Sequence, residues 1–204
     1  MRVIIVGGGI AGLSTAWALQ KAGAEVVVLE QGPLPNPVGS SVDDHRLIRY
    51  PYGTRLGFTR MVAEAYAAWD EMWSDLGECH YVETGTLVLG GPSHADNRAT
   101  VDTLAKIGLR EGHAVEWLTE ADLARDYPLL EEAAIASGGY RLSSGGALRC
   151  GRIIQSLARH LAFTGLDIRP HSPVIAVDPV GGEVRLASGE RLGGDAWSWR
   201  RGRG

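Results

Sequence analysis

The chain has 204 residues, 45% of them hydrophobic and 22% charged, and carries a formal net charge of −4. This is ordinary globular composition, enough for a sizeable core in one domain or two small ones. The acidic balance gives no general footprint for nucleic acid or an acidic membrane surface. The only two cysteines, Cys79 and Cys150, lie too far apart in sequence to suggest a disulfide framework and point to a reducing compartment.

Arg2 to Val6 is a short β-branched run of the kind that forms a buried parallel strand. Glycines follow, then a helical stretch from Ile10 to Ala22, a stop at Gly23 and a second apolar strand from Glu25 to Glu30. This is a βαβ unit with G-x-G-x-x-G at Gly7, Gly9 and Gly12. Gly7 allows the tight turn, Gly9 lets a pyrophosphate approach the backbone, and Gly12 lets helix and strand pack closely. The helix N-terminus, at Ile10 and Ala11, offers unpaired N–H groups and a partial positive charge to phosphate. Glu30 lies eighteen residues after Gly12, at the end of the second strand. Its carboxylate can accept ribose hydroxyls and would repel a 2′-phosphate, which disfavours NADP. The pattern leaves FAD and NAD open. It also accounts for the N-terminal residues better than a signal peptide does, and no apolar run reaches the length of a membrane span; both readings place the protein in the cytoplasm.

QGPLPNPVGSS is an irregular connection. In the DDHRLIRYPYG segment after it, Arg46 and Arg49 are three apart and would share a face on a helical turn. They read either as a clamp for a substrate carboxylate or an anionic cofactor, or as a solvated basic patch. Phe58 to Leu76 is an amphipathic helix with core-facing aromatics, closed by Gly77. His80 to Leu89 reads as one or two strands with a turn at Thr84-Gly85. Ser93 is the expected N-cap of a helix running to about Arg110. A strand at Val115 to Leu118 and a capped helix at Thr119 follow, and Ile135 to Leu142 is the next expected strand. Ser143 to Leu148 reads as a loop and Arg149 to Phe163 as a helix. Leu166 to Arg169, Val174 to Asp178 and Glu183 to Leu186 are short strands, with a hairpin turn at Ser188-Gly189-Glu190. The six histidines show no metal-ligand spacing, and no GxSxG elbow supports a nucleophilic hydrolase.

The GGGIAG turn with Glu30, the Gly39-Ser40 stretch through DDHRLIRYPYG, Thr84 to Val88, and SGGALRCGRI leading into HSPVIAVD together carry a family resemblance. The chain resembles the FAD-dependent amine and amino-acid oxidoreductases that include D-amino-acid oxidase, glycine oxidase and monomeric sarcosine oxidase. The sarcosine oxidase and N-methyltryptophan oxidase branch is the most similar.

The resemblance implies an α/β fold: a Rossmann-type FAD-binding domain over residues 1–80 and 141–194, with part of an inserted α+β substrate domain over 81–140. It implies FAD, with the pyrophosphate at Gly7 to Gly12 and the ribose on Glu30. Ser40, His45 and Arg46 would line the flavin side, Arg49 would pair with the substrate carboxylate, and the Val174 backbone would meet the adenine end. The substrate would be a small amine or amino acid, oxidised to an imine, with O2 reduced to H2O2 by a protein that is monomeric at full length. Branch members carry paired histidines where this chain has Ser41 and Val42. Two other readings stand beside this one: a flavin dehydrogenase with another electron acceptor, and a non-catalytic dinucleotide-binding fragment.

The last ten residues, DAWSWRRGRG, depart from the family's strand and glycine turn, of the type DAVVVAAGAW. Written in GC-rich codons, that family string with one G deleted translates as this tail at every position. The expectation is therefore a frameshift, a missing C-terminal half, an unfilled hydrophobic sheet edge, and a chain that binds FAD weakly and turns over little substrate. Sequencing the gene past codon 204 tests this: an oxidase-like continuation is expected in the other frame, and a stop with no such frame behind it would refute the frameshift.

Overall fold

The computed structural model describes residues 1–109 and 113–199. In chain order the elements are β1 (Arg2–Val6), α1 (Ile10–Lys21), β2 (Glu25–Leu29), β3 (Arg46–Ile48), α2 (Leu56–Leu76), β4 (Tyr81–Glu83) and β5 (Thr86–Leu89). Then come α3 (Ala95–Ile107), β6 (Val115–Leu118), α4 (Glu120–Asp126), α5 (Glu132–Ile135), β7 (Gly139–Leu142) and β8 (Gly146–Leu148). The chain continues through α6 (Cys150–Phe163), β9 (Asp167–Arg169), β10 (Val174–Asp178), β11 (Glu183–Leu186), β12 (Arg191–Gly193) and β13 (Ala196–Trp199). It divides into two units. One holds Met1–Arg46, Asp75–His80 and the residues from Arg149 on; the other holds Leu47–Ser74 and Tyr81–Leu148. These boundaries differ from the expected 1–80 and 141–194 against 81–140, because most of α2 groups with the second unit.

The first unit is built on a parallel sheet in the order β13-β1-β2-β9. Val3, Ile4 and Ile5 of β1 and Val26 to Leu29 of β2 are buried, as continuous β-branched runs require when both faces are covered. Ile4, Val27 and Leu29 form one cluster with Val184, Leu186 and Leu192 of the antiparallel β10-β11-β12 meander. α1 contacts β1, β2 and α6. It buries Leu13, Ala16 and Trp17, and α6 buries Ile153, Ile154, Leu157 and Leu161. Trp17 Nε1–H and Lys21 Nζ both donate to Asp75 Oδ2, at 2.8 and 2.7 Å, which ties α1 to the end of α2.

The second unit carries two three-stranded sheets, β3-β8-β4, in which β4 and β8 are antiparallel, and the antiparallel β5-β7-β6. Ile48, Tyr50, Tyr66, Leu104, Tyr140 and Leu142 form its main core, with Tyr50 stacked on Tyr66 at 5.2 Å. The expected box at Thr119 is present: Asp122 N–H donates to Thr119 Oγ1, and Thr119 N–H donates to Asp122 Oδ2 at 3.0 Å.

Several expectations are corrected. Arg46 and Arg49 do not share a helical turn, since Arg46 opens β3 and Arg49 follows it. Ser143 to Leu148 is not all loop, because Gly146–Leu148 pairs with Tyr81–Glu83 as β8. Ile135 ends the short helix α5 rather than opening a strand. The strand begins at Gly139, where a Cβ would lie 2.6 Å from Val88 O, so only glycine lets the two backbones approach. His94, not Ser93, is the N-cap of α3, since a His94 N–H to Gly91 O bond closes a turn before the helix starts. That helix ends at Ile107, and its expected end at Arg110 lies outside the described residues. The sheet edge beside β1 is filled: Ala196–Trp199 pairs with Val3–Val6 in parallel despite its unusual sequence. The rest of the tail, 200–204, lies outside the described residues.

Gly12 sits where α1 crosses the turn out of β1, and a Cβ there would lie 1.9 Å from Gly7 O. Gly12→Ala must push α1 off β1, and a loss of about 3 kcal/mol is expected, read from urea unfolding curves.

Candidate functional site

The turn from β1 into α1 is held from both sides. Gly7 N–H donates to Leu29 O at 2.7 Å, continuing the β1–β2 ladder, and Gly8 N–H donates to Glu30 Oε2 at 2.7 Å. Gly9 is the N-cap of α1 and has no side chain to cap it. Helix geometry leaves the N–H groups of Ile10, Ala11 and Gly12 without an intrahelical acceptor, while Leu13 N–H already reaches Gly9 O at 3.0 Å. Ile10 N–H donates instead to Ser41 Oγ at 3.1 Å, so the loop after β2 returns to this helix end. A Cβ on Gly9 would sit 3.1 Å from the same hydroxyl. The Ser41 hydroxyl thus covers the face above the Gly9–Ile10 peptide.

Glu30 is only 6% exposed. Its Oε1 accepts from Gly32 N–H at 3.0 Å and Asn36 Nδ2 at 2.9 Å. Burial opposes its charge, but the N–H groups of Gly8 and Gly32, the Asn36 amide and the Gln31 N–H outweigh that and hold the carboxyl below the ordinary range. The end of β2 therefore carries a buried, ionised carboxylate next to the glycine turn.

Gly7, Gly9, Ile10, Ala11, Gly12 and Glu30 thus form one cluster, and Ser41 brings the 31–45 loop to it. Ser40 is exposed and its carbonyl accepts from Arg46 Nη2 at 3.1 Å. Arg46 also pairs with Asp43, three residues earlier, and His45 between them is exposed. Val174 opens β10 against the sheet core, just after Ser172, whose N–H donates to Glu30 O at 2.8 Å. Arg49 belongs to the second unit. Its Nη1 donates to Pro51 O at 2.6 Å, and its guanidinium lies 5.0 Å over the Tyr52 ring. Tyr52 in turn stacks on Phe58 at 5.8 Å.

Two contributors escaped the sequence pattern. Ser41 and Asn36 lie in a stretch legible only as irregular connection, and no periodicity signals a contact between residues 10 and 41. Elsewhere, Ser156 donates to Glu78 at 2.5 Å and lies 2.8 Å from His80 Nε2. With its O–H directed at the Glu78 carboxylate, the hydroxyl is a buried tether rather than a histidine-activated nucleophile. Among the described residues, no group of three or more His, Cys, Asp or Glu could hold a metal, and no helix is long and apolar enough to cross a membrane.

The family model described as FAD dependent oxidoreductase (DAO) matches residues 2–196. The chain belongs to this FAD dependent oxidoreductase family. Among its relatives are the peroxisomal sarcosine oxidase of Mus musculus, 28% identical over 180 residues, and the N-methyl-L-tryptophan oxidase of Yersinia pestis (strain Pestoides F), 23% identical over 176. The alignments cover 84% and 86% of this chain but 45% and 46% of those proteins. The chain therefore spans about half the length of the curated relatives it matches. The open form of NikD, an unusual amino acid oxidase essential for nikkomycin biosynthesis, matches with a TM-score of 0.75 and 25% identity, over 92% of this chain and 48% of NikD.

The family's cofactor is FAD, and the cradle fits its adenosine diphosphate half. It offers a helix N-terminus whose Ala11 and Gly12 N–H groups have no intrahelical acceptor, for anionic oxygens, and a charged carboxylate one strand away for a ribose hydroxyl.

Because Glu30 is held below the ordinary carboxylate range in the fold, the stability it confers is fully present above the unfolded value, about 4.3. It is lost as the pH falls through the lower folded value. Glu30→Gln is expected to lower stability at pH 7 and to flatten its dependence below the unfolded carboxylate value, about 4.3, measured by urea unfolding at each pH.

Proposed function

We propose that the protein binds FAD and oxidises the C–N bond of a small, sarcosine-like amine or amino acid to an imine, with O2 as electron acceptor and H2O2 as product. The observation that carries this is the ionised Glu30 carboxylate locked to the glycine turn, in a chain matched by the family model over nearly its whole length. The names of the relatives, sarcosine oxidase and N-methyl-L-tryptophan oxidase, supply the substrate class.

In this reading the first unit takes FAD and the second contributes to the substrate side. Gly7, Gly9, Ile10, Ala11 and Gly12 receive the diphosphate, Glu30 the ribose, and the Val174 backbone the adenine end. Ser40, His45 and Arg46 face the flavin. When bound, the flavin supplies the acceptor for the substrate's α-hydrogen and electron pair. Arg46 is already partly neutralised by Asp43, and its remaining charge favours electron-rich states of a nearby ring through Coulomb attraction. Arg49 carries the substrate carboxylate. Tyr52 covers the guanidinium face and Pro51 O takes Nη1, which leaves Nε and Nη2 as the donors for a bidentate pair. Ser41 and Val42, which replace the branch's paired histidines, remove two titratable groups from the flavin side and bear on which amine is accepted.

Purified protein should be yellow, its flavin band should bleach with sarcosine in the absence of air, and peroxide should form in air, an outcome that would overturn the expectation of weak FAD binding and little turnover drawn from the frameshifted tail. Arg49→Met is expected to raise KM for a carboxylate-bearing amine about thirtyfold, from the loss of a charged hydrogen-bonded pair. Bleaching without peroxide would identify a dehydrogenase, and bound FAD that no amine bleaches would identify a non-catalytic binding module.

A further inference from the structure

The Glu30 carboxylate has about four acceptor positions on its two oxygens. Oε1 is occupied by two donors, Gly32 N–H at 3.0 Å and Asn36 Nδ2 at 2.9 Å. Oε2 accepts Gly8 N–H, at 2.7 Å. Gly8 and Gly32 donate through their backbone N–H groups. Asn36 is the side-chain donor, and its own geometry is fixed at three points. Its Oδ1 accepts Val38 N–H at 3.1 Å, its backbone carbonyl accepts Gly39 N–H at 3.0 Å, and Gly32 leaves it room, since a Cβ there would lie 3.0 Å from Nδ2. The amide cannot be turned over without setting Oδ1 against the carboxylate and Nδ2 against the Val38 N–H, two donor–acceptor mismatches in a half-buried place.

We propose that Asn36 is the positioning residue for the ribose end of the dinucleotide site: by filling Oε1 it fixes the rotamer of Glu30 and directs a ribose hydroxyl to Oε2, on the side of the glycine turn. Resting on the cofactor assignment proposed above, this adds a determinant of sugar recognition that lies outside the βαβ fingerprint. Asn36 stands six residues beyond Glu30, in the connection, and its side chain bonds Glu30 Oε1 and Val38 N–H. It acts through Glu30. With Asn36 gone, Oε1 regains a free acceptor position and the carboxylate is released to swing.

The neighbouring charged groups do not substitute for it. On β9 the Arg169 guanidinium is committed to Asp167 at 2.7 Å and to Glu190 at 2.9 Å. His171 reaches this region through its backbone, with N–H donating to Gly32 O at 2.9 Å. The donors that sustain the Glu30 charge are the N–H groups of Gly8, Gly32 and Gln31 together with the Asn36 amide. Losing the amide therefore raises the pH at which Glu30 takes up a proton.

The experiment uses the whole chain and two probes, ADP and 2′-deoxy-ADP, with affinities from calorimetry and the Glu30 titration from carboxyl-carbon NMR of the ligand-free protein. Asn36→Leu is expected to weaken ADP about tenfold, the size of one hydrogen bond to a charged group, and to leave 2′-deoxy-ADP nearly unchanged. The preference for the 2′-hydroxyl then collapses while the Glu30 midpoint moves up. Asn36→Asp, which keeps the shape and replaces the donor with a charge, should act in the same direction and more strongly. It supplies the result if the leucine variant does not fold. An unchanged preference for ADP over 2′-deoxy-ADP in a folded variant overturns the proposal, whether or not the Glu30 midpoint moves. Glu30→Gln separates the two levels. If it too leaves ADP affinity unchanged, the dinucleotide assignment itself fails. If it weakens ADP while the Asn36 variants do not, only the role of Asn36 fails.

Discussion

The first unit depends on one bond, the 2.7 Å contact from Gly8 N–H to the Glu30 carboxylate. β1 and β2 are parallel and in register from Arg2 with Glu25 to Val6 with Leu29, and the next chain positions are where the two strands must part. β1 turns into α1 and β2 runs into an irregular loop. A buried carboxylate at that fork holds the glycine turn open and gathers the loop through Gly32 and Asn36. A charge in so dry a place is tolerable only with several donors around it. The arrangement therefore stands or falls together: the donors keep the charge, and the charge keeps the loop.

The same fork explains why the cradle can be built from residues with so little side chain. The Gly7-Gly8-Gly9 turn contributes backbone N–H groups, and the nearby side-chain chemistry is supplied from the loop by Ser41 and from β2 by Glu30. The turn thus joins a rigid part, fixed by the β1–β2 ladder, to a part carried by an irregular connection. In the second unit the corresponding division is aromatic. Tyr52 and Phe58 stack beneath Arg49, and the loop that holds that arginine leans on rings rather than on a sheet.

Much of this was legible in the sequence where a single physical rule dominates. The βαβ start, α2, the Thr119 box and α6 follow from periodicity and capping chemistry, and the structure repeats them within a residue or two. What escaped was decided between distant segments. Gly146–Leu148 has the composition of a loop and becomes β8 because Tyr81–Glu83 lies alongside it. Arg46 and Arg49 have helical spacing, but Arg46 is drawn into a strand by its sheet neighbour. Asn36 and Ser41 look like punctuation because the one-dimensional pattern records no partners for their side chains.

β13 illustrates how little a sheet demands of a strand. Its alignment is settled at Asp195: the Asp195 N–H meets Arg2 O at 2.8 Å, and its carboxylate takes the Arg2 N–H at 2.8 Å. From there, pairing of Val3 with Ala196 and onward proceeds through main-chain groups that are alike in every residue. An upstream anchor thus works like the first tooth of a zip. Once it engages, the segment that follows is recruited by backbone geometry, whatever its sequence.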